Sequence, residues 1–264
     1  MKSELRELIG NDKINDEFFI PRFSWEGPPP KAGQFFMIKP EYSSVFLPRP
    51  FGFFEYIASE KEIAFLIARK GRGTEELAKA RPGARATLTG PLGRSWADFL
   101  PLDSKDVFHK IALISGGAGI APLAALVAEK PNYDFHFYAG FKNGFEDGKE
   151  RDALLGSAAK AGKLVVTAED GKNAQRGLAL DLFPKEEDYD VILACGPAPM
   201  LKAVRELSLS RNIPCYLSME IRMACGVGAC RGCVIHAENG NRRCCADGPI
   251  FSAKEIIFDG QPHD

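Results

Sequence analysis

Cys225, Cys230 and Cys233 stand in C-x4-C-x2-C spacing, and with Cys244 and Cys245 they place five cysteines within 21 residues. Thiolates so spaced are the loop ligands of a plant-type iron–sulfur site, which one more distant thiolate completes. Four sulfurs around a 2Fe-2S cluster move one electron at a time. The cluster is small, so three ligands from one loop must wrap tightly around it. Gly226, Gly228 and Gly232 suit that task, because glycine accepts positive φ and has no Cβ to clash. Amides turned inward can then bond the sulfurs and tune the potential. The fourth ligand is Cys244 or Cys245. In an extended segment their side chains would face opposite sides, so only one could reach the cluster. Zinc and disulfides fit less well. Structural zinc sites pair ligands as C-x2-C…C-x2-C, without a glycine-rich x4 gap. Disulfides belong to secreted chains, whereas MKSELRELIGNDKINDEFF lacks the apolar core of a signal peptide and the cysteine count, 7, is odd.

A one-electron centre needs a source and a sink, and two glycine turns suggest nucleotide sites. Gly117-Ala118-Gly119-Ile-Ala-Pro122 follows the apolar run Lys110–Ser115 and opens a predicted helix. That context makes a glycine loop a credible pyrophosphate site, since a helix N-terminus offers free N–H groups and a positive dipole end. Pro122 suits a first helical turn, where no amide donor is needed. Cys195-Gly196-Pro197-Ala-Pro-Met200 again lies between a predicted strand and helix, and the carboxyl ends of parallel strands are where such sheets bind ligands. Earlier in the chain, Arg49-Pro50-Phe51-Gly52 supplies an arginine able to pair with phosphate. Gly73 and Thr74, in Gly71-Arg-Gly-Thr-Glu-Glu-Leu77, mark a helix start with Thr74 as N-cap, a second candidate anion site.

The elements that must position these residues change rhythm along the chain. Residues 1–102 carry short apolar runs broken by turns: Phe18–Ile20, Gln34–Ile38, Gly52–Ile57, Ile63–Ala68 and Ala86–Thr89. That is the pattern of an antiparallel β-barrel or sandwich. Residues 103–214 alternate strand and helix. Strands are predicted at Lys110–Ser115, Asp134–Ala139, Lys163–Thr167 and Asp190–Cys195, with helices through Ala128, over Ala153–Ala161 and over Pro199–Ser208. A final strand is predicted at Tyr216–Ser218. This predicts a doubly wound parallel α/β sheet. Residues 215–264 form a small cysteine-loop domain. With 264 residues, 45% hydrophobic and net charge −1, the chain has ample core and no basic excess for nucleic acid or an anionic membrane. The apolar stretch Ile111–Val127 is too interrupted by glycine and proline to span a bilayer. A soluble cytoplasmic protein is expected.

Taken together, Arg-Pro-x-x, Gly-x-Gly-Thr, Gly-Gly-x-Gly-x-x-Pro and Cys-Gly-Pro-x-Pro-Met, in that order, resemble the ferredoxin–NADP reductase superfamily. The tail narrows this. Ser218-Met-Glu-x-Arg-Met-Ala-Cys225-Gly-x-Gly-x-Cys230-x-x-Cys233, then Cys245-Ala-Asp-Gly-Pro-Ile-Phe251, looks like the electron-transfer subunits of class 1B dihydroorotate dehydrogenase. The resemblance implies Cys245 as the fourth ligand, because that family's ligand precedes x-Asp-Gly-Pro. It implies FAD on Arg49, Pro50, Phe51 and Gly52, with Leu66, Ile67, Ala68, Gly73 and Thr74 around the rest of it. It implies NAD at Gly117, Ala118, Gly119 and Pro122 and near Cys195, Gly196 and Pro197.

The implied partner is an FMN-containing dihydroorotate dehydrogenase catalytic subunit in a heterotetramer. Electrons would run from dihydroorotate through that FMN, the cluster and FAD to NAD+. The same residues would also serve an NAD(P)H-oxidising reductase subunit of another complex. Three positions depart from or sort within the family. Gly52 replaces a usual serine. Ala68 replaces a common arginine, with Arg69 following it. Cys225 stands where a related bifurcating transhydrogenase subunit has aspartate. No general base is needed, and His109, His136, His236 and His263 show no catalytic or metal spacing. Cys215 reads as core. Cys195 reads equally as a buried small residue or a neighbour of the nicotinamide. Arg222, Arg231, Arg242 and Arg243 flank the cysteine loop as solvated charge.

Overall fold

The computed structural model describes residues 2–100 and 110–258; the expected 102/103 boundary, His109 and His263 lie outside the described residues. The first part holds β1 (Lys2–Lys13), β2 (Phe18–Ser24), β3 (Phe35–Pro40), β4 (Arg49–Gly52), β5 (Glu55–Ile57), β6 (Glu62–Ala64), β7 (Ile67–Ala68), helix α1 (Arg72–Ala78) and β8 (Arg85–Leu92). The strands run antiparallel in the order β4-β3-β8-β1-β2-β6-β5, with β7 on β2. Large aromatics curl this sheet into a barrel. Phe36 of β3 meets Phe65, just after β6, at 5.6 Å and Trp25, just after β2, at 4.9 Å, both edge to face. Three strands separate β3 from β6 in the sheet, so these rings touch only across a closed interior. β1 was not anticipated. It is the polar central strand, with Leu8 its one buried residue, and ladders to β2 and β8 hold it on both sides. Its Asn11 donates to the carbonyls of Leu77 and Ala80 at 2.9 Å each, fixing the end of α1.

The second part alternates β9 (Lys110–Gly116), α2 (Ile120–Glu129), β10 (Asp134–Phe141), α3 (Gly148–Leu155), β11 (Lys163–Ala168), β12 (Gln175–Arg176), β13 (Val191–Cys195), α4 (Ala198–Ser210) and β14 (Cys215–Ser218). The parallel order is β12-β11-β10-β9-β13-β14. Ile111 and Leu113 face one core, and Ala112 and Ile114 the other. Burial on both faces explains the unbroken apolar runs. The helix expected at Ala153–Ala161 instead starts at Gly148, where the Asp147 carboxylate accepts the Glu150 N–H at 2.8 Å. It gives way to a 3-10 turn over Gly156–Lys160. Helix α2 is tied to the barrel near both ends. Trp96 donates its indole N–H to the Pro122 carbonyl at 3.2 Å, and Glu129 accepts the Ala32 N–H at 2.7 Å. One continuous core therefore joins barrel and sheet.

The parallel sheet runs past residue 214, because β14 pairs with β13 in the register Cys195↔Ser218. The chain then makes a small ladder of β15 (Val234–Ile235) and β16 (Arg242–Arg243), a helical turn α5 (Cys244–Asp247), and β17 (Ile250–Ser252), which returns antiparallel to β14. Among the described residues no helix is long and apolar enough to cross a membrane.

Below the amino ends of β9 to β11, Glu187 accepts from Lys110 at 2.8 Å and Lys163 at 2.9 Å. Tyr189 joins the buried His136 at 3.0 Å and Tyr138 at 2.7 Å. The two lysines pull the Glu187 carboxyl from 4.5 to about 2. A carboxylate depressed in the folded state adds stability above its ordinary pKa and loses it as pH falls toward the folded value. Glu187→Gln should therefore cost about 2 kcal/mol at neutral pH. The deficit should shrink steadily below pH 4.5, as read from urea midpoints across that range.

Candidate functional site

In the parallel sheet the strand order reverses between β9 and β13, and crevices at such a reversal bind ligands. Both glycine turns sit there, packed backbone against backbone. A Cβ on Gly119 would lie 2.3 Å from the Cys195 carbonyl oxygen, and one on Gly116 2.7 Å from Pro197 Cδ. Gly117 adopts φ +53. Above them opens a cleft of about 810 Å³ between sheet and barrel. On the barrel side β4 presents Arg49, Pro50, Phe51 and Gly52, and the next wall is Leu66, Ile67 and Ala68. On the sheet side stand Ala118, Pro122 and Cys195. Gly73, Gly117, Gly119, Gly196 and Pro197 shape the walls without lining them. The two barrel motifs meet, since a Cβ on Gly73 would sit 3.0 Å from Arg49 Nε.

Thr74 lines the cleft but does not cap α1, which begins at Arg72. Its hydroxyl instead accepts the Lys70 and Gly71 N–H groups at 3.0 and 3.1 Å, closing the turn from inside the helix. Arg69 does not supply the cation missing at Ala68. It pairs with Glu75 at 2.7 Å, and Lys70 faces the cleft in its place. At Gly52 a Cβ would meet Pro122 at an ordinary 3.7 Å, so space does not demand glycine. Gly52→Ser should keep FAD bound and raise stability by about 0.5 kcal/mol through a stiffer unfolded chain, measured by thermal melting followed at the flavin absorbance.

A third wall escaped the residue-by-residue reading. It runs from Ser218 through Met219, Glu220, Ile221 and Arg222 to Met223, between β14 and the cysteines; its only signal was the family motif. Glu220 opens onto the cleft, yet protein on its other sides pushes its carboxyl pKa up, against the pull of Lys70. Burial, and then Glu220, push the Cys195 thiol well above its usual value, so Cys195 is both a buried small residue and part of the wall.

The cysteine loop folds as two thiol pairs. Cys233 and Cys245 sulfurs lie 3.2 Å apart; the Cys230 thiol donates a hydrogen bond to the Cys225 sulfur, which also accepts the Cys230 N–H at 3.4 Å. Each of the four sulfurs accepts an amide. Val227 also donates to Cys225 at 3.4 Å, Gly228 to Cys245 at 3.1 Å, Gly232 to Cys230 at 3.4 Å and Cys245 to Cys233 at 3.5 Å. Burial opposes ionisation of Cys225, but the amides of Cys230 and Val227 prevail and bring it to about 6. Cys245 is pushed to about 12 by burial and by Cys233.

Two pairs suit two irons with two thiolates each. A single tetrahedral ion would need all four at one point. Gly226 and Gly228 take φ +69 and +81, and a Cβ on Gly226 would strike Met37 of β3 at 2.5 Å. Gly232 needs no positive φ; its amide is what reaches a sulfur. The segment holding Cys244 is a helical turn rather than extended. Cys244 donates to the Met219 carbonyl at 3.3 Å, leaving Cys245 against Cys233. Arg243 braces the loop through Asp247 at 3.0 Å and the Gly228 carbonyl at 3.4 Å. Arg231 is exposed, and Arg222 faces the cleft.

Comparison with known proteins matches these features. Residues 220–257 fit the model of the iron-sulfur cluster binding domain of dihydroorotate dehydrogenase B. The dihydroorotate dehydrogenase B (NAD(+)) electron transfer subunit of Caldanaerobacter subterraneus subsp. tengcongensis is 33% identical over 95% of this chain and 97% of its own. That of Clostridium acetobutylicum is 33% identical over 98% of each. Among solved structures, a chain of the NADH-dependent reduced ferredoxin-NADP oxidoreductase superposes with TM-score 0.81 at 22% identity, covering 97% of this chain and 91% of that one. Phthalate dioxygenase reductase superposes at TM-score 0.61 and 13% identity, over 88% and 72%. These two share the fold. On the strength of the full-length relatives, the chain belongs to the family of dihydroorotate dehydrogenase B electron transfer subunits.

Proposed function

We propose that the chain carries electrons from a catalytic partner subunit to NAD+ by way of a 2Fe-2S cluster and FAD, in pyrimidine biosynthesis. One observation carries this reading: the wall of the cleft shared by the flavin and nucleotide motifs leads directly into a loop whose four thiols are paired and amide-bonded. In the proposed assignment Cys225 and Cys230 hold one iron and Cys233 and Cys245 the other. Arg49 to Gly52, Leu66 to Ala68 and the Gly73-Thr74 turn hold FAD. Gly117 to Gly119, Pro122 and Cys195 to Pro197 hold NAD. The three domains are taken as residues 1–102, 103–214 and 215–264.

Bound FAD would exchange hydride with the nicotinamide on one side and single electrons with the cluster on the other. The chain's own residues supply position and shielding. Trp96 and Glu129 lock α2 to the barrel, so the nucleotide turn keeps a fixed distance from the flavin wall. Leu66, Ile67 and Phe51 present an apolar surface that keeps water off the reacting face. The loop amides offset thiolate charge and so set the potential. The partner is taken to contain FMN, to oxidise dihydroorotate, and to form a cytoplasmic heterotetramer with this chain. Co-expression with an FMN-binding candidate tests all of this. The expected result is a brown complex that reduces NAD+ with dihydroorotate. A fully loaded chain that neither binds the candidate nor turns over would overturn the assignment.

A further inference from the structure

We infer that Phe18, a barrel residue outside the cleft, sets the nucleotide turn against the flavin wall, and so governs the hydride step more than nucleotide affinity. The inference rests on the FAD and NAD assignments above. Phe18 is buried and does not line the cleft. Its backbone belongs to the flavin wall. There β2 ladders with β7 in the register Phe18↔Ala68 and Phe19↔Ile67, and the Arg69 N–H donates to the Glu17 carbonyl at 2.7 Å. Ile67 and Ala68 both line the cleft. The ring of Phe18 belongs to the nucleotide side. Its Cζ lies 3.9 Å from the position a Cβ would take on Gly117, and among the described residues nothing else outside the turn's own chain comes within 4 Å of that position. The ring also packs edge to face on Phe141, the last residue of β10, with centroids 6.4 Å apart.

One residue thus joins the two walls, by main chain to the first and by side chain to the second. The joint is anchored from barrel and sheet alike. Asn15 Oδ1 accepts the Glu17 and Phe18 N–H groups at 2.8 and 2.7 Å, while its Nδ2 donates to Glu150 of α3 at 2.6 Å. The turn needs such support, because Gly116, Gly117 and Gly119 bring no side chains of their own and glycine backbone is conformationally loose. Trp96 and Glu129 hold α2 from Pro122 onward, beyond the turn. Phe18 is therefore a positioning residue. Shortening its ring leaves the N–H groups at the helix start able to hold a pyrophosphate, so affinity should survive. What suffers is the placement of nicotinamide against flavin, and hydride transfer falls steeply with misplacement. That step moves a hydride from NADH to FAD, leaving NAD+ and, with one proton from solvent, reduced flavin.

The test uses the FAD-loaded chain with Phe18→Leu, which keeps an apolar side chain in the core but withdraws it from Gly117. Stopped-flow reduction at saturating NADH should slow about tenfold, with the dissociation constant for NADH changed less than about twofold. A readout independent of turnover is the long-wavelength charge-transfer absorbance of NAD+ stacked on dithionite-reduced flavin, which should weaken in the variant. Phe18→Tyr approaches from the other side. It adds a hydroxyl on Cζ, directed at Gly117, and should slow the same step. A native rate and native absorbance in either variant would overturn the proposal. So would weaker NADH binding with the saturating rate unchanged, the mark of a residue that serves affinity alone. Loss of flavin from both variants would also overturn it, because Phe18 would then be holding the barrel together. If the native loaded chain shows neither NADH binding nor charge-transfer absorbance, the NAD assignment itself is wrong, a failure distinct from these.

Discussion

Cys245→Ser is expected to strip the iron–sulfur absorbance from the purified protein, and Cys244→Ser to leave it intact. The two residues are neighbours of the same type, both buried, so composition and burial predict no difference. Geometry does. Cys245 lies 3.2 Å from Cys233 and accepts the Gly228 amide, whereas Cys244 is turned to the Met219 carbonyl. Serine at 245 would offer a poor ligand for iron, and bound iron should fall from about two atoms per chain toward none. Electron delivery from the partner should drop by more than about a hundredfold. NADH oxidation by an artificial acceptor that draws from the flavin should persist. Iron analysis and the visible spectrum check this directly. Iron retained in the Cys245 variant and lost in the Cys244 variant would reverse the ligand assignment.

The second large effect is expected at Gly119. Its missing Cβ is what allows the two nucleotide turns to touch, since an added methyl would lie 2.3 Å from the Cys195 carbonyl oxygen. That oxygen belongs to backbone and cannot swing aside. Gly119→Ala must therefore part β13 from the start of α2 in the middle of the proposed NAD site. Overpacking of this kind costs about 1–3 kcal/mol, which lowers the melting temperature by about 2–4 °C per kcal/mol for a chain of this size. NADH-dependent flavin reduction should fall at least about tenfold, while FAD, assigned above to the barrel, should stay bound. Stopped-flow reduction of the FAD-loaded variant provides the measurement. A native rate would show that the contact between the turns does not shape the nucleotide site.

Much of this arrangement was readable beforehand, for identifiable reasons. The runs Lys110–Ser115 and Asp190–Cys195 were plain because strands buried on both faces carry uninterrupted apolar residues. The turns after them were plain because glycine and proline punctuate strongly. β1 was hidden because a central strand that faces solvent needs only backbone partners, and its charged side chains disguise it. The start of α3 was missed because its signal is the Asp147 cap and not an apolar period. The contrast is sharper at the site. Cysteine and glycine spacing located the metal loop, since its chemistry is local in sequence. Lys70 and Glu220 drew no separate notice, because each matters only where three distant segments meet across one cleft. Choosing Cys245 over Cys244 needed the family resemblance, as the extended-strand argument assumed a conformation that α5 does not have.

The cysteine module begins where β14 ends and closes where β17 begins, and those two strands lie side by side, with Ser218 opposite Ile250. Both feet of the module are thus planted on one edge of the nucleotide sheet, like an arch on a single sill. An arch so founded cannot swing out on a tether to meet a distant acceptor. A cluster held by this loop and a flavin held by the barrel would therefore keep a fixed separation, and solvent viscosity should leave electron transfer between them untouched. A catalytic partner subunit would have to come to this stationary pier.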